Sequence, residues 1–359
     1  MVDLRILTVV GARPQFVKAA AISRAIAARD GVSEILVHTG QHFDRDMSQV
    51  FFDDFGLEPP RINLGIHDGG HGDMTGRMLA AVERVIIAER PDLVLVPGDT
   101  NSTLAGALAA AKLHVPVAHL EAGLRSFNRR MPEEINRVLT DHLSALLLCP
   151  TETAVGNLDR EGIVDGVHNV GDVMYDAALF AAAASRGSSI LDRLGIAERS
   201  YAVATMHRAE STEDRETLSE ILDYVRCQVR DLTVVFPLHP RTRKWMSMWE
   251  LDLDGFLTCG PLGYLDMHRL LRSAVAVFTD SGGLQKEAYF HRVPCVTLRG
   301  ETEWVETIEA GWNRLWKSPD YAPRREITAF GDGHAAEKAV ELIAGFLRCQ
   351  ARAGSVPSS

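Results

Sequence analysis

The stretch His119-Leu120-Glu121-Ala122-Gly123-Leu124-Arg125, followed by Pro132-Glu133-Glu134-Ile135-Asn136-Arg137, places acidic side chains and arginines within one short loop. The loop joins an apolar strand, Val115 to Leu120, to a helix opened by Pro132. Proline suits a first helical position because it has no N–H to leave unpaired. Carboxylates set among cations at a strand-to-helix turn are what acid–base chemistry on an anionic substrate requires. Either glutamate equally fits a capped helix with salt bridges, since acidic residues in a first turn favour the helix dipole.

Other candidate residues also fall at strand ends. Gly11-Ala12-Arg13-Pro14-Gln15 follows the strand Leu4–Val10, with Lys18 one helical turn beyond Pro14. A helix N-terminus flanked by Arg and Lys is an anion site, although a tight turn with an exposed Lys fits the same residues. The segment is neither a Walker loop nor a G-x-G-x-x-G fingerprint, which disfavours a nucleoside triphosphatase and a nicotinamide enzyme. Gly98-Asp99-Thr100-Asn101-Ser102-Thr103 follows the strand Leu93–Pro97. Ser102 fits a cap of the next helix, and Asp99 taken alone reads as a cap as well.

Thr205-Met206-His207-Arg208 and Leu238-His239-Pro240-Arg241 each put a His and an Arg at a strand tip. That arrangement suits a phosphate contact or a hydrogen-bonded structural histidine. The strongest local motif is Thr279-Asp280-Ser281-Gly282-Gly283-Leu284-Gln285-Lys286-Glu287. Its glycines let backbone N–H groups approach a diphosphate at a helix N-terminus. Glu287, one turn into that helix, is placed to accept hydrogen bonds from ribose hydroxyls; a glycine turn followed by a solvated glutamate is the plainer alternative.

The elements that must position these residues are short apolar runs alternating with helical patterns, the mark of βαβ units. The chain has 359 residues, enough for about two domains. A first series of strands runs from Leu4–Val10 to about Val167–Val170, and a second from Tyr201–Thr205 to Pro294–Leu298. The expected architecture is α/β, with two doubly wound, Rossmann-like domains. Residues 1–172 and 335–359 form the first, the latter as a returning C-terminal helix, and residues 173–334 form the second. Ligands of open parallel sheets lie outside the carboxyl ends of the strands, so the active site is expected in the cleft between the domains.

The net charge of −10 gives no bulk attraction to nucleic acid or to an anionic membrane. No apolar run approaches the ~20 residues of a membrane span, and the first ten residues show no signal-peptide pattern. The five cysteines lack metal-ligand spacing, and Cys149, Cys259 and Cys295 lie in apolar runs that suit buried thiols. A cytoplasmic protein without a metal is expected.

Taken together, G-A-R-P-Q-F-V-K, G-D-T-N-S-T, H-L-E-A-G-L-R, P-E-E-I-N-R, M-H-R-A-E and T-D-S-G-G-L-Q-K-E resemble the non-hydrolysing UDP-N-acetylglucosamine 2-epimerases over essentially the whole chain. The resemblance implies a glycosyltransferase-B-like fold, a homodimer, a UDP-sugar substrate and no cofactor. It implies removal of the C2 proton as UDP leaves C1, giving a 2-acetamidoglucal, then reprotonation on the opposite face and re-addition of UDP. Asp99, Glu121 and Glu133 match the family's proton-transfer residues, and Lys18 and His207 match residues counted as essential. Arg13, His207, Ser281, Gly282 and Gly283 match the diphosphate site, and Glu287 the ribose contact. The uracil is expected against the 261–265 loop.

The resemblance departs at one allosteric position. Gln41 and Arg77 match the family's activator site, but its second Gln is Asp44 here. The segments G-A-R-P-Q-F, R-S-F-N-R-R-M-P-E-E and E-T-E-W-V-E-T are similar to a branch acting on UDP-2,3-diacetamido-2,3-dideoxy-glucuronic acid. Arg129 or Arg130, on the loop joining Glu121 to Glu133, is then expected to grip the sugar's C6 carboxylate bidentately; a side chain that points to solvent or pairs with Glu134 is the plainer alternative. The alternatives are UDP-N-acetylglucosamine itself as substrate, or a UDP-sugar glycosyltransferase of the same fold.

Overall fold

The computed structural model describes residues 4–41, 54–56 and 58–353. Asp44 lies outside them, so the departure at the activator position has no structural counterpart. The chain divides into two compact units, Met1–Ala177 with Thr328–Ser359, and Ala178–Ile327.

The first unit contains β1 (Leu4–Val10), α1 (Arg13–Ala27), β2 (Val32–His38), β3 (Ile62–Asn63), α2 (His71–Glu89), β4 (Leu93–Pro97) and α3 (Asn101–Lys112). It continues through β5 (Val117–Leu120), α4 (Pro132–Leu143), β6 (Leu146–Cys149), α5 (Glu152–Arg160) and β7 (Val167–Asn169). The division falls inside α6 (Val173–Ala184). The second unit holds α7 (Ile190–Leu194), β8 (Tyr201–Thr205), α8 (Ala209–Thr212), α9 (Arg215–Val229), β9 (Thr233–Pro237) and α10 (Pro240–Met248). Then come β10 (Phe256–Cys259), α11 (Tyr264–Ser273), β11 (Val277–Thr279), α12 (Gly282–Phe290), β12 (Cys295–Thr297), α13 (Val305–Glu309) and β13 (Asn313–Leu315). The last helix, α14 (Ala335–Ala353), belongs to the first unit.

Both sheets are parallel. The first has the order β3-β2-β1-β4-β5-β6-β7, and Leu7 pairs with Ile35 on one side and Val94 on the other. The second has the order β10-β9-β8-β11-β12-β13. Parallel sheets carry helices on both faces, so their strands are near-continuous apolar runs. In β1 every residue except Arg5 is buried. Ile6, Leu95, Leu120 and Leu148 pack against Ile22, Ala339, Ile343 and Leu347 on one face. Leu7, Val9, Val94 and Val96 pack against Val82, Ile86 and Ala107 on the other. In the second unit Ala204, Phe236 and Phe278 meet Leu218, Leu222 and Val225, while Val203, Val235 and Val277 meet Leu270 and Leu271.

In each sheet the strand order reverses at one place, between β1 and β4 and between β8 and β11. The loops leaving these strands diverge, which opens a crevice at their carboxyl ends. The loops after β1 and β4 therefore share one edge with the loop after β5, and the loops after β8 and β11 share another.

The strands β3 and β13 were not foreseen, because two or three residues at a sheet edge show no alternation. The helix α2 begins at His71, and its first turn contains Gly72, a poor helix former. Ser102 does not cap α3; Thr100 does, its hydroxyl accepting from the Thr103 N–H at 3.3 Å. Cys149 and Cys295 are buried thiols whose burial pushes their ionisation up, whereas Cys259 is only half-buried. No helix among the described residues is long and apolar enough to cross a membrane.

Candidate active site

At the switch point of the first unit, Lys18 and Glu121 form an ion pair. Lys18 is 7 % exposed, so the reading of an exposed lysine at this turn is overturned: α1 carries its ammonium inward to the end of β5. Glu121 has φ 72, left-handed backbone for a non-glycine residue. Such a conformation costs about 1–3 kcal/mol and persists where the surroundings fix it. Here the N–H groups of Glu121 and Ala122 both donate to the Leu148 carbonyl, at 3.0 and 3.2 Å. Gly98 makes room for the pair. Its φ is +67, and a Cβ there would sit 3.1 Å from Lys18 Nζ and 3.7 Å from Glu121 Oε2.

Asp99, next along the β4 loop, is held from α4. Arg137 donates to Asp99 Oδ2 from Nε at 3.0 Å and from Nη2 at 2.7 Å. The same guanidinium donates from Nη1 to Glu134 Oε2 at 2.7 Å. Asn136 Nδ2 donates to the Asp99 carbonyl at 2.9 Å. Glu134 also accepts from the Ser126 and Phe127 N–H groups at 3.0 and 2.9 Å, tying down the loop before α4. Burial alone would raise its carboxyl, but these N–H groups and Arg137 hold it below the ordinary value.

Behind the two carboxylates lies a buried polar chain. His119 bridges the Asp141 carboxylate, 2.6 Å from Nδ1, and the Gly98 carbonyl, 2.7 Å from Nε2. Asp141 also accepts from Arg125 Nη1 at 2.7 Å, and Arg125 grips Glu161 through Nε and Nη2 at 2.7 and 2.8 Å. Burial would raise the Asp141 carboxyl, but His119 and Arg125 overcome it and hold it low. Gln15 joins the first two loops, accepting from the Gly11 and Ala12 N–H groups at 2.8 and 3.0 Å and donating to the Pro97 carbonyl at 2.8 Å.

The sequence-predicted residues of this unit thus fall in two groups. Lys18 from α1, Asp99 from the loop after β4 and Glu121 from the loop after β5 are brought to one sheet edge. Glu133 is half-buried in the first turn of α4, next to Glu134, which carries the structural bonds. Arg129 and Arg130 are exposed, and neither is the partner of Glu134; that place belongs to Arg137. Arg13 opens α1, but its side chain lies outside the described residues. Sequence reading missed Arg137, Asp141 and Gln15. The first lay in view as the end of P-E-E-I-N-R, one helical turn after Glu133, without any sign of which acid it meets.

In the second unit, the ends of β8 and β11 are joined through Asp280. Its Oδ2 accepts from the His207 and Arg208 N–H groups, both at 2.9 Å, and its Oδ1 lies 3.2 Å from His207 Nδ1. Burial would raise this carboxyl, but His207 and the two N–H groups draw it down to about 2. Asp280 was quoted in its motif but given no role; an acid directly before a glycine turn at a strand end was the available signal. The His207 ring, partly exposed, stands 5.8 Å from that of His239.

Ser281 caps α12, accepting from the Leu284 N–H at 3.5 Å. A Cβ on Gly282 would come within 2.3 Å of Glu303 Oε1, while Gly283 faces open space, so the two glycines differ in what demands them. Glu287 is buried, not solvated, and His268 Nε2 approaches its Oε1 to 3.7 Å. The helix N-terminus at Ser281 and the partly exposed His207 offer donors to an anion. Among the described residues no group of three His, Cys, Asp or Glu side chains is arranged to hold a metal ion.

The family model described as UDP-N-acetylglucosamine 2-epimerase matches residues 24–344. A UDP-2,3-diacetamido-2,3-dideoxy-D-glucuronate 2-epimerase of Pseudomonas aeruginosa is 53 % identical over 317 residues, 87 % of this chain and 88 % of that protein. A UDP-N-acetylglucosamine 2-epimerase homolog of Methanococcus maripaludis is 48 % identical over 95 % of this chain and 99 % of its own length. The crystal structure of the Methanocaldococcus jannaschii UDP-GlcNAc 2-epimerase in complex with UDP-GlcNAc and UDP superimposes with a TM-score of 0.87 at 38 % identity, covering 95 % of this chain and 99 % of that one. The chain belongs to the UDP-N-acetylglucosamine 2-epimerase family, a family of isomerases.

Proposed function

We propose that the chain epimerises C2 of a UDP-2-acetamido sugar by eliminating and re-adding UDP, and that its substrate is UDP-2,3-diacetamido-2,3-dideoxy-glucuronate. The observation that carries the chemistry is the pair of cation-bound carboxylates, Glu121 with Lys18 and Asp99 with Arg137, at one sheet edge. A base takes the C2 proton as the C1–O bond breaks and its electron pair leaves with UDP; the C1–C2 double bond of the glycal forms. A carboxylic acid then returns a proton to the other face of C2 and UDP re-adds at C1. Asp99, Glu121 and Glu133 share these transfers, and Lys18 keeps the Glu121 carboxylate beside a positive charge.

In the second unit, His207 and the Ser281–Gly283 turn take the diphosphate, and Glu287 the ribose, with Arg13 of the first unit as a further diphosphate contact. Positive charge and N–H dipoles there stabilise the departing UDP, the largest contribution available to a reaction whose C2 proton is barely acidic. A homodimer, a cytoplasmic setting and supply of a surface polysaccharide belong to the same reading, supported by the family resemblance.

The substrate assignment is supported by the Pseudomonas aeruginosa relative and by the exposed Arg129 and Arg130, which are available to a C6 carboxylate. UDP-N-acetylglucosamine is the second reading, supported by the Methanocaldococcus jannaschii relative. The test is turnover of both UDP-sugars, without any acceptor, by wild type, Arg129→Ala and Arg130→Ala. The proposal expects manno epimer without stoichiometric free UDP, a preference for the glucuronate, and loss of that preference in one of the variants. Better turnover of UDP-N-acetylglucosamine, or a ratio unchanged in both variants, rejects the carboxylate reading.

A further inference from the structure

Asp141 of α4 is bonded, directly or through one ring, to both loops that carry the candidate carboxylates. Its Oδ1 lies 2.6 Å from His119 Nδ1, and Nε2 of that ring lies 2.7 Å from the Gly98 carbonyl, in the turn that leads into Asp99. Its Oδ2 accepts from the Gly123 N–H at 3.2 Å and from Arg125 Nη1 at 2.7 Å, in the loop that begins with Glu121. Alternation along β5 puts Ala118 and Leu120 into the core on one face and His119 on the other, where it is 0 % exposed. The same strand also holds the other side of the turn, because the Gly98 N–H donates to the Leu120 carbonyl at 2.9 Å.

Both ring nitrogens of His119 face oxygens that can only accept. Burial would raise the Asp141 carboxyl, but His119 and Arg125 draw it down, so it stays an anion. A carbonyl oxygen has no proton to give either, and each nitrogen must therefore carry its own, which makes the ring an imidazolium. Its charge is matched locally, since His119 and Arg125 face Asp141 and Glu161. A hydrogen bond from a charged donor is about twice as strong as a neutral one. The turn is thus tethered from behind by His119, while Arg137 holds the Asp99 side chain from α4.

We propose that His119, anchored on Asp141, is a positioning residue for proton transfer at C2: its Nε2–H sets the Gly98–Asp99 peptide and so keeps Asp99 in register with Glu121. The inference rests on the reading of Asp99 and Glu121 as proton-transfer groups. His119 is fully buried and acts only through the turn. A base displaced by about 1 Å from its proton can lose 10²-fold in rate without any change in its own chemistry.

The experiment measures kcat, KM and thermal unfolding in wild type, His119→Gln, His119→Asn and Asp99→Asn. A glutamine amide can stand near the place of Nε2 and donate to the Gly98 carbonyl, whereas an asparagine amide stands near Nδ1 and donates to Asp141. His119→Asn should lose about 10- to 100-fold in kcat, with KM within about threefold, the pattern of an interaction lost in the transition state. His119→Gln removes the bond to Asp141 and should be less stable, yet keep kcat within about threefold of wild type. Nitrogen-15 NMR of the histidine rings in wild type, with His119 assigned by the signals missing from His119→Gln, should show a proton on both nitrogens.

Kcat losses that follow the losses of stability in the two His119 variants overturn the proposal, because a merely structural histidine behaves so. Retained kcat in His119→Asn, with kcat lost in Asp99→Asn, overturns the proposal alone and leaves Asp99 its role. Retained kcat in Asp99→Asn rejects the reading of Asp99 itself, and the proposal with it. Should neither His119 variant fold, the NMR spectrum decides, with His119 assigned through its coupling to Asp141: a bare nitrogen at either position overturns the tether, and protons on both support it.

Discussion

Arg137 places two hydrogen bonds, from Nε and Nη2, on one oxygen of Asp99, and its remaining Nη1 on Glu134. The acid beside the β4 loop is thereby oriented by a group that is itself locked to the loop before α4. Lysine cannot reproduce this fork, because its ammonium is a point charge on a flexible stem. Arg137→Lys should lower kcat by about 10-fold or more, up to the ~10² of a lost acid–base contribution. UDP affinity should stay within about twofold. Steady-state kinetics with a parallel UDP titration checks both; an unchanged kcat would remove Arg137 from the positioning of Asp99.

Gly98 has φ +67, and the Lys18 ammonium occupies the space next to it. In Gly98→Ala the backbone conformation is disfavoured and the new methyl presses on the Lys18 ammonium beside Glu121. The expected cost is about 1 kcal/mol or more in stability, with a fall in kcat out of proportion to it. Thermal unfolding and activity of the same preparation measure both effects.

Much of the fold could be read in the sequence, and much of the side-chain pairing could not. The runs Leu4–Val10, Leu93–Pro97 and Tyr201–Thr205 coincide with strands, because both-face burial in a parallel sheet demands continuous apolar residues. Pro132 marks the start of α4 for the reason of its missing N–H. The pairing of Lys18 with Glu121 and of Arg137 with Asp99 joins residues of helices α1 and α4 to residues of the loops after β5 and β4. Which cation meets which carboxylate is set by strand order and by the direction of each side chain, and neither leaves a local signal. The same holds for Asp280, whose burial under His207 follows from the adjacency of β8 and β11.

Asp280 also gives a pH prediction. Its folded ionisation lies at about 2 against an ordinary 3.8, so it contributes stability above pH 4 that is lost as pH falls through about 2. The difference corresponds to about 2 kcal/mol. Asp280→Asn should be less stable than wild type by that amount at pH 7, and the gap should close towards pH 2. Urea unfolding at the two pH values reads this, and a gap independent of pH would show that the carboxylate's charge is not what joins the two strands.

The most direct measurement of the central claim is entry of solvent deuterium at C2, followed by proton NMR in D₂O with the preferred UDP-sugar. Wild type should incorporate deuterium as the gluco and manno forms equilibrate. Asp99→Asn and Glu121→Gln should bind UDP normally yet slow incorporation by at least ~10². Near-wild-type incorporation in either variant would reduce that carboxylate to a structural role, and epimerisation by wild type without incorporation would contradict the proposed elimination and exchange of the C2 proton with solvent.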